Sequence, residues 1–274
     1  MIASPIGIFD SGYGGLTVFK EIATRLPQYD YIYLGDNARS PYGTRSFETV
    51  YHYTWQCVQW FFRQGCPLVI LACNTASAKA LRTIQQKNLP ELDDPSKRVL
   101  GVIRPTAEVI GQHTHTKKVG VLATNGTVQS ESYPIEIGKF YPDLTVVQQT
   151  CPMWVPLIEN NEHNGAGADY FIKKNVAELL AQSPDIDTIL LACTHYPLIK
   201  NQIASLLPLG TALLSQGEII ADSLADYLQR HPEMETRLSR QEAMKFYTTD
   251  DPNDFDNHAT HFFGQAVKSA QVHL

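Results

Sequence analysis

Short apolar runs alternate along the chain with longer segments in which apolar residues recur every three or four positions. The short runs predict buried strands at residues 5–9, 31–34, 68–72, 119–122, 144–147 and 188–192. The longer segments predict helices at residues 16–25, 47–63, from about 76 onward, and at 168–181. Strands and helices that alternate in this way are typical of parallel sheets covered by helices on both faces.

Two parts of the chain resemble each other. The segment IGIFDS at 6–11 is similar to VGVLAT at 119–124, and LVILACNT at 68–75 is similar to TILLACTH at 188–195. Both pairs occur in the same order and at similar spacing, which indicates an internal duplication. We therefore expect an α/β fold with two pseudo-symmetric three-layer α/β domains, mostly parallel sheets, and an active site at the domain interface.

Two proline-bearing stretches predict where the domains divide. Residues 90–97 are polar and contain two prolines, and the sequence PLG at 208–210 is typical of a turn. The first domain is therefore expected to comprise 1–97 together with 208–274, and the second to comprise 98–207. Residues from Met234 onward are weakly patterned, and 248–252 are predicted to form a loop.

Composition excludes several classes of function. Apolar residues make up 43% of the 274 residues and charged residues 18%, as in a globular chain. The net charge of -6 and the lack of any Lys/Arg run argue against nucleic acid as a partner. The apolar runs are too short to span a bilayer, so no membrane partner is expected. Five cysteines without a CxxC pair indicate free thiols, a cytoplasmic location and no structural metal site.

Cys73 and Cys193 follow the two matched strands directly. In open parallel sheets, ligands bind beyond the carboxyl ends of the strands, so both thiols are expected to face one crevice from opposite sides. Inversion of a stereocentre requires this arrangement, because one group removes a proton from one face while another delivers a proton to the other. A free thiol has a pKa of about 8.5 and must be tuned for both tasks, and Asp10 and His195 are the candidate tuners.

The carbanion formed at Cα spreads its charge into the α-carboxylate, so hydrogen-bond donors there are needed. The candidate donors are Ser11, Asn74, Thr75 and Thr194, and with them no electron-sink cofactor is required. Taken singly, a cysteine at the end of an apolar strand is more often a small core residue. Cys57 and Cys66 are interpreted in that way, and Cys151 is given no role.

Four ordered motifs resemble those of bacterial glutamate racemases, within the aspartate/glutamate racemase family. They are FDSGYGGLTV at 9–18, GDNARSPYG at 35–43, ACNTASA at 72–78 and CTHYPL at 193–198. The similarity runs from Ile6 to about Ile199 and is weaker at 248–264. Two positions depart from the family pattern: Tyr13 replaces a small or β-branched residue, and Arg104 stands where an acidic residue is common.

The resemblance implies that Cys73 serves the D-enantiomer and Cys193 the L-enantiomer of glutamate. It also implies that Asp10, Asp36, Glu159 and His195 assist these thiols. The substrate-binding positions that it implies are Asp10, Ser11, Tyr42, Gly43, Asn74, Thr75, Thr194 and His195. The expected enzyme is a cofactor-independent isomerase, a homodimer that supplies D-glutamate for peptidoglycan synthesis.

Three other hypotheses remain open at this point. A related racemase acting on aspartate or another acidic amino acid carries similar motifs. A non-catalytic amino-acid-binding module has the same two-lobed shape but leaves the Cα proton in place. A cysteine hydrolase with Cys73 as its nucleophile leaves the second matched thiol unexplained.

Overall fold

Two parallel sheets organise the chain in the computed structural model, which describes residues 4–274. All strand pairs within that range run parallel, which confirms the predicted α/β fold class. The strands are β1 (Ile6–Asp10), β2 (Tyr31–Gly35), β3 (Leu68–Leu71), β4 (Arg98–Gly101), β5 (Lys118–Ala123), β6 (Thr145–Thr150), β7 (Thr188–Ala192), β8 (Ala212–Leu214), β9 (Met244–Thr248) and β10 (Ser269–Gln271).

The strand order repeats between the sheets. The larger sheet has the order β10-β9-β2-β1-β3-β4, and the smaller sheet has the order β6-β5-β7-β8. The register repeats as well, since Ile6 lies opposite Leu68 and Val119 lies opposite Thr188. These are the positions that the sequence comparison paired, so the internal duplication is visible in the topology.

Helices connect the strands and cover the sheets. They are α1 (Leu16–Arg25), α2 (Phe47–Arg63), α3 (Asn74–Lys79), α4 (Leu81–Thr83), α5 (Ile103–Val109), α6 (Asn125–Gln129), α7 (Ser132–Phe140), α8 (Trp154–Glu159), α9 (Ala166–Gln182), α10 (Lys200–Ala204), α11 (Gln216–Arg230), α12 (Pro232–Glu235) and α13 (Pro252–Phe263). The bounds of α1 and α2 are the predicted ones. The α2 helix begins where the Ser46 side chain accepts a hydrogen bond from the Thr49 amide at 3.2 Å.

The two halves are packed together by α1 and α11. The first of these helices follows β1 of the larger sheet, and the second follows β8 of the smaller sheet. Apolar residues of α1 recur at helical spacing and are buried; they are Leu16, Val18, Phe19, Ile22 and Ala23. No helix in the described range of the chain is both long and apolar enough to cross a membrane.

Two short strands near the predicted domain boundaries pair across them. Strand β4 lies after residue 97 but pairs with β3 of the larger sheet, and β8 lies after residue 207 but pairs with β7 of the smaller sheet. By sheet membership, the chain therefore leaves the larger sheet after Gly101 and returns to it at Met244. Both strands are short, with four and three residues, so the sequence pattern does not predict them.

The weakly patterned tail is folded. Strand β9 pairs with β2 of the larger sheet. Strand β10 pairs with β9 and forms the edge of that sheet. The expected loop at 248–252 is shorter than predicted, because Thr248 ends β9 and Pro252 begins α13. Asp251 caps α13 by accepting hydrogen bonds from the amides of Asn253 at 2.7 Å and Asp254 at 3.1 Å.

Candidate active site

A cleft opens beyond the carboxyl ends of the central strands of both sheets. The space within it is about 640 Å³ when its mouth to solvent is included. Ten residues expected at the site line it: Ser11, Tyr42, Gly43, Cys73, Asn74, Thr75, Glu159, Cys193, Thr194 and His195. The expected residues Asp10 and Asp36 are not part of its wall. Nine further residues line it: Ser40, Pro41, Thr44, Thr124, Asn125, Cys151, Pro152, Val155 and Pro156.

Cys73 lies at the junction of β3 and α3. Its Sγ accepts a hydrogen bond from the Ala76 amide at 3.5 Å, so the thiol caps α3, and the helix begins at Asn74 rather than at about residue 76. The thiol donates to Ser11 Oγ, also at 3.5 Å. Burial, together with the nearby carboxylate of Asp10, raises the pKa of Cys73 to about 12. This thiol is therefore neutral at neutral pH and placed as an acid.

Cys193 occupies the matching position after β7, and its surroundings differ. The Nδ1 atom of His195 lies 3.9 Å from Cys193 Sγ, and the Nε2 atom lies 2.9 Å from Glu159 Oε1. Burial by itself lowers the pKa of His195, but the hydrogen bonds to Cys193 and Glu159 outweigh it and raise that pKa well above its usual value. A positively charged imidazole therefore lies beside the Cys193 sulfur.

Asp10 lies behind the cleft wall, fully buried at the end of β1. Its Oδ2 accepts a hydrogen bond from the Gly12 amide at 3.0 Å, and its Oδ1 accepts a weak one from Thr194 Oγ1 at 3.5 Å. Burial raises the pKa of Asp10, while the charge of His195 acts in the opposite direction. Asp10 thus shapes the turn after β1, and its carboxylate lies near Cys73.

Asp36 is buried away from the cleft and is fully engaged by other side chains. Arg39 Nε contacts both of its oxygens, at 2.7 and 3.0 Å, and Thr249 Oγ1 donates to Oδ1 at 2.9 Å. The Tyr42 hydroxyl also donates to this carboxylate. Asp36 therefore contacts the cleft wall through Tyr42, and its assistance to the thiols stays a prediction.

Close contacts between the halves form the narrow end of the cleft. Thr75 Oγ1 of the first half lies 3.0 Å from Thr124 Oγ1 of the second, and the Gly126 amide donates to the Gly43 carbonyl at 2.8 Å. At the other end, a Cβ atom on Gly14 would lie 2.3 Å from Thr194 Oγ1. Glycine at this turn lets the two halves approach closely enough to share a ligand.

Cys151 is one of the nine lining residues that were not predicted from the sequence, and the one among them with a thiol. It is buried directly after β6, and burial raises its pKa well above the usual value of a thiol. A pattern that pointed to it is present in the sequence, because Cys151 follows the strand that matches β2. The match is hard to see because β6 has the sequence TVVQQT and is partly exposed, whereas β2 has the sequence YIYLG and is buried. The cysteines expected in the core, Cys57 and Cys66, are buried and do not line the cleft.

The two departures from the family motifs lie outside the cleft wall. Tyr13 stacks on His258 at 4.9 Å between ring centroids, and its hydroxyl donates to Asp254 at 2.7 Å. It thereby anchors α13 to the turn after β1. Arg104 pairs with Glu108 on the exposed surface of α5 at 2.9 Å.

Comparisons with known proteins agree with this geometry. The model of the Asp/Glu/hydantoin racemase family matches residues 9–224. The chain belongs to this family. The glutamate racemase of Streptococcus gordonii is 38% identical over 274 residues, covering 98% of each chain. As a member of the family, the protein is a racemase and hence an isomerase.

Solved structures of racemases superpose on almost the whole chain. Glutamate racemase isoform RacE1 from Bacillus anthracis is 33% identical and gives a TM-score of 0.88, covering 99% of this chain and 98% of its own. The glutamate racemase of Francisella tularensis, solved in complex with D-glutamate, is 30% identical with a TM-score of 0.85, covering 98% and 97%. The two-sheet architecture of this racemase is therefore that of glutamate racemases.

Proposed function

We propose that this racemase interconverts L- and D-glutamate without a cofactor, using Cys73 and Cys193 as the two acid/base groups. The observation that carries the proposal is the pair of matched cysteines, each directly after the equivalent strand of its own half and both lining one cleft. Full-length similarity to proteins named glutamate racemase supports glutamate as the substrate.

The two thiols have unequal surroundings. Burial and the nearby Asp10 carboxylate raise the pKa of Cys73 and favour its neutral thiol, while the imidazole of His195 lies 3.9 Å from the sulfur of Cys193. With L-glutamate bound, the Cys193 thiolate removes the Cα proton. The Cys73 thiol then delivers its proton to the opposite face. D-Glutamate leaves, with Cys73 now a thiolate and Cys193 a thiol. The reverse reaction starts from that second state.

The intermediate is a carbanion whose charge spreads into the α-carboxylate. Hydrogen-bond donors that are already fixed in place stabilise such charge without reorganisation. The cleft supplies hydroxyl and amide donors beside the two sulfurs; they are Ser11, Asn74, Thr75 and Thr194. Tyr42 and Gly43 complete the substrate-binding wall on the side of the larger sheet.

The cellular role follows from the same resemblance of motifs. We propose that the D-glutamate formed serves peptidoglycan synthesis in the cytoplasm and that the enzyme works as a homodimer. These statements are supported by the similarity to bacterial glutamate racemases along the whole chain.

An isotope experiment tests the proposal directly. The protein is incubated with L-glutamate in heavy water, and circular dichroism and deuterium content are followed together. Two bases predict that deuterium enters D-glutamate early while recovered L-glutamate stays largely unlabelled. Early label in recovered L-glutamate points to one base and contradicts the two-thiol mechanism. Unchanged optical activity contradicts glutamate as the substrate, and aspartate is then the next compound to examine.

Cysteine variants identify the bases. Cys73→Ala and Cys193→Ala should each lower kcat by about a thousandfold or more, because general acid–base groups contribute on that order. Calorimetry should show that both variants still bind glutamate. Cys66→Ala is the matched control, since Cys66 is buried outside the cleft. Near-normal racemisation by either cleft variant would refute the assignment.

A further inference from the structure

A closed ring of buried hydrogen bonds lies directly behind Asn74. The Tyr133 hydroxyl donates to Asn74 Oδ1 at 2.6 Å, and Asn74 Nδ2 donates to Gln216 Oε1 at 2.7 Å. Gln216 Nε2 donates to the Tyr133 oxygen at 2.7 Å and closes the ring. All three side chains are at most 3% exposed. Of the three, only Asn74 lines the cleft.

We propose that Gln216 and Tyr133 are positioning residues that hold the Asn74 amide with an N–H group directed at the substrate. The inference rests on the proposed function and deepens it, because the ligand of that N–H is a carboxylate of glutamate. Neither residue belongs to the motifs that point to the site.

The direction of each hydrogen bond follows from one backbone carbonyl. The carbonyl of Val102 can only accept a hydrogen bond, and the Thr106 hydroxyl donates its single proton to that carbonyl at 2.8 Å. Gln216 lies 2.9 Å from Thr106 Oγ1, which therefore accepts, so the nitrogen of the Gln216 amide must be on that side. Its oxygen then faces Asn74. An amide that is otherwise free to flip is fixed by this chain of donors and acceptors.

The orientation of Asn74 follows in turn. Because Gln216 presents an oxygen, Asn74 must present its nitrogen to Gln216 and its oxygen to Tyr133. The second proton on Asn74 Nδ2 has no acceptor between residues 4 and 274, and it is the donor left for a ligand in the cleft. Burial raises the pKa of Tyr133, which keeps its hydroxyl protonated and able to donate.

The ring also joins the two halves of the enzyme. Asn74 begins α3 after the larger sheet and Tyr133 lies on α7 beside the smaller sheet, whereas Gln216 begins α11, which packs mainly against α1. An unpaired buried amide costs more free energy than a solvated one, so all members of the ring prefer the closed arrangement. The donor beside Cys73 is thus held in part by a residue of the opposite half.

A double-mutant cycle tests the inference. Tyr133→Phe keeps the aromatic side chain but removes the hydroxyl, which donates to Asn74 and accepts from Gln216. We expect kcat/KM for L-glutamate to fall about tenfold, a loss typical of a well-placed hydrogen bond. In the Asn74→Ala background, the same change should alter kcat/KM by less than about twofold, because Tyr133 acts through Asn74. Gln216→Met, which keeps the side-chain length, should give the same pattern as Tyr133→Phe. It should lower kcat/KM about tenfold in the unaltered enzyme and by less than about twofold in the Asn74→Ala background.

A matched control lies directly after α7, the helix that carries Tyr133. Tyr141 follows α7 and donates its hydroxyl to the Glu108 carbonyl at 2.7 Å, away from the cleft, so Tyr141→Phe should leave kcat/KM unchanged. Additive losses in the double variants would overturn the inference, since they would show that Tyr133 and Gln216 act independently of Asn74. Turnover of glutamate by the unaltered protein tests the proposed function separately, so the two proposals fail on different measurements.

Discussion

Cys151 holds, on the smaller sheet, the position that Asp36 holds on the larger one. The Asp36 amide donates to the Asp10 carbonyl at 3.0 Å, and the Cys151 amide donates to the Ala123 carbonyl at 2.9 Å. Each residue thus follows the strand beside the first central strand of its half. The duplication has placed a buried carboxylate behind the cleft wall in one half and a third thiol in the cleft wall of the other half.

The third thiol is not expected to act as a base. Burial raises the pKa of Cys151 well above the usual value, so it stays neutral across the working pH range. We therefore expect Cys151→Ala to lower kcat by no more than about tenfold, mainly through the small cavity it leaves. Circular dichroism with L-glutamate provides the measurement. A loss as large as that of Cys73→Ala would give Cys151 a place in the proton transfer.

Glu159 is expected to set the alkaline limit of the reaction that starts from L-glutamate. Its contact with His195 helps raise the pKa of the imidazole. In the proposed reaction, a charged imidazole is needed beside Cys193 while that residue acts as the base. Activity in this direction is present below the pKa of His195 and is lost as pH rises through it. Because Glu159→Gln removes a charge that raises this pKa, the alkaline fall in kcat should move to lower pH.

The pH profile of kcat from L-glutamate checks this prediction. Glu162→Gln is the matched control, since Glu162 is exposed three residues further along the chain. An unchanged alkaline limb in Glu159→Gln, or an equal shift in the control, would show that Glu159 does not govern His195.

Substitution by alanine should have different effects at Gly12 and at Gly14, two glycines of the turn after β1. A Cβ atom on Gly14 would lie 2.4 Å from His195 Nδ1, whereas the nearest atom to a Cβ on Gly12 is Ser40 Oγ at 3.4 Å. Gly14→Ala should therefore displace His195 and lower kcat/KM about a hundredfold. Gly12→Ala should keep kcat/KM within a few-fold of the original value. Similar kinetics for the two variants would mean that the halves tolerate a wider separation.

Tyr13 is expected to stabilise the C-terminal helix. Its ring packs against Phe255 and Phe262 as well as His258, and it donates to Asp254. Tyr13→Ala should lower the free energy of unfolding by about 2–3 kcal/mol and increase hydrogen exchange in α13. Urea unfolding measures the first effect and mass spectrometry the second.

The control for this variant is another tyrosine that packs little. Tyr170 on α9 is 61% exposed, so Tyr170→Ala should change the free energy of unfolding by less than about 0.5 kcal/mol. Equal losses in the two variants would contradict an anchoring role for Tyr13.

Local patterns were sufficient for the parts of the fold that repeat or that carry strong periodicity. The bounds of α1 and α2 were predictable because each helix has one continuous apolar face. The matched thiols were predictable because they sit in nearly identical strings. Strands β4, β8 and β10 have three or four residues, too few for alternation to be recognised, and their places depend on partners far along the chain.

The candidate site was predictable as far as its motifs extend. Asp36 was placed with the thiols by resemblance, whereas in the structure Arg39 and Tyr42 bind its carboxylate. Gln216 could not be found from local sequence, because nothing around it distinguishes an ordinary polar residue at a helix start. Its importance arises only when α11 packs across the interface and brings it to Asn74.

Mirror-image molecules have equal free energies in water, and this constrains an enzyme whose two sulfurs have such different neighbours. The equilibrium constant is one, so kcat/KM for the two enantiomers must be identical, whatever His195 does for Cys193 or Asp10 does for Cys73. Any advantage that these neighbours give to turnover in one direction must be cancelled by weaker apparent affinity for that substrate. The asymmetry of the cleft therefore sets how fast each enantiomer is processed at saturation, and never which one accumulates.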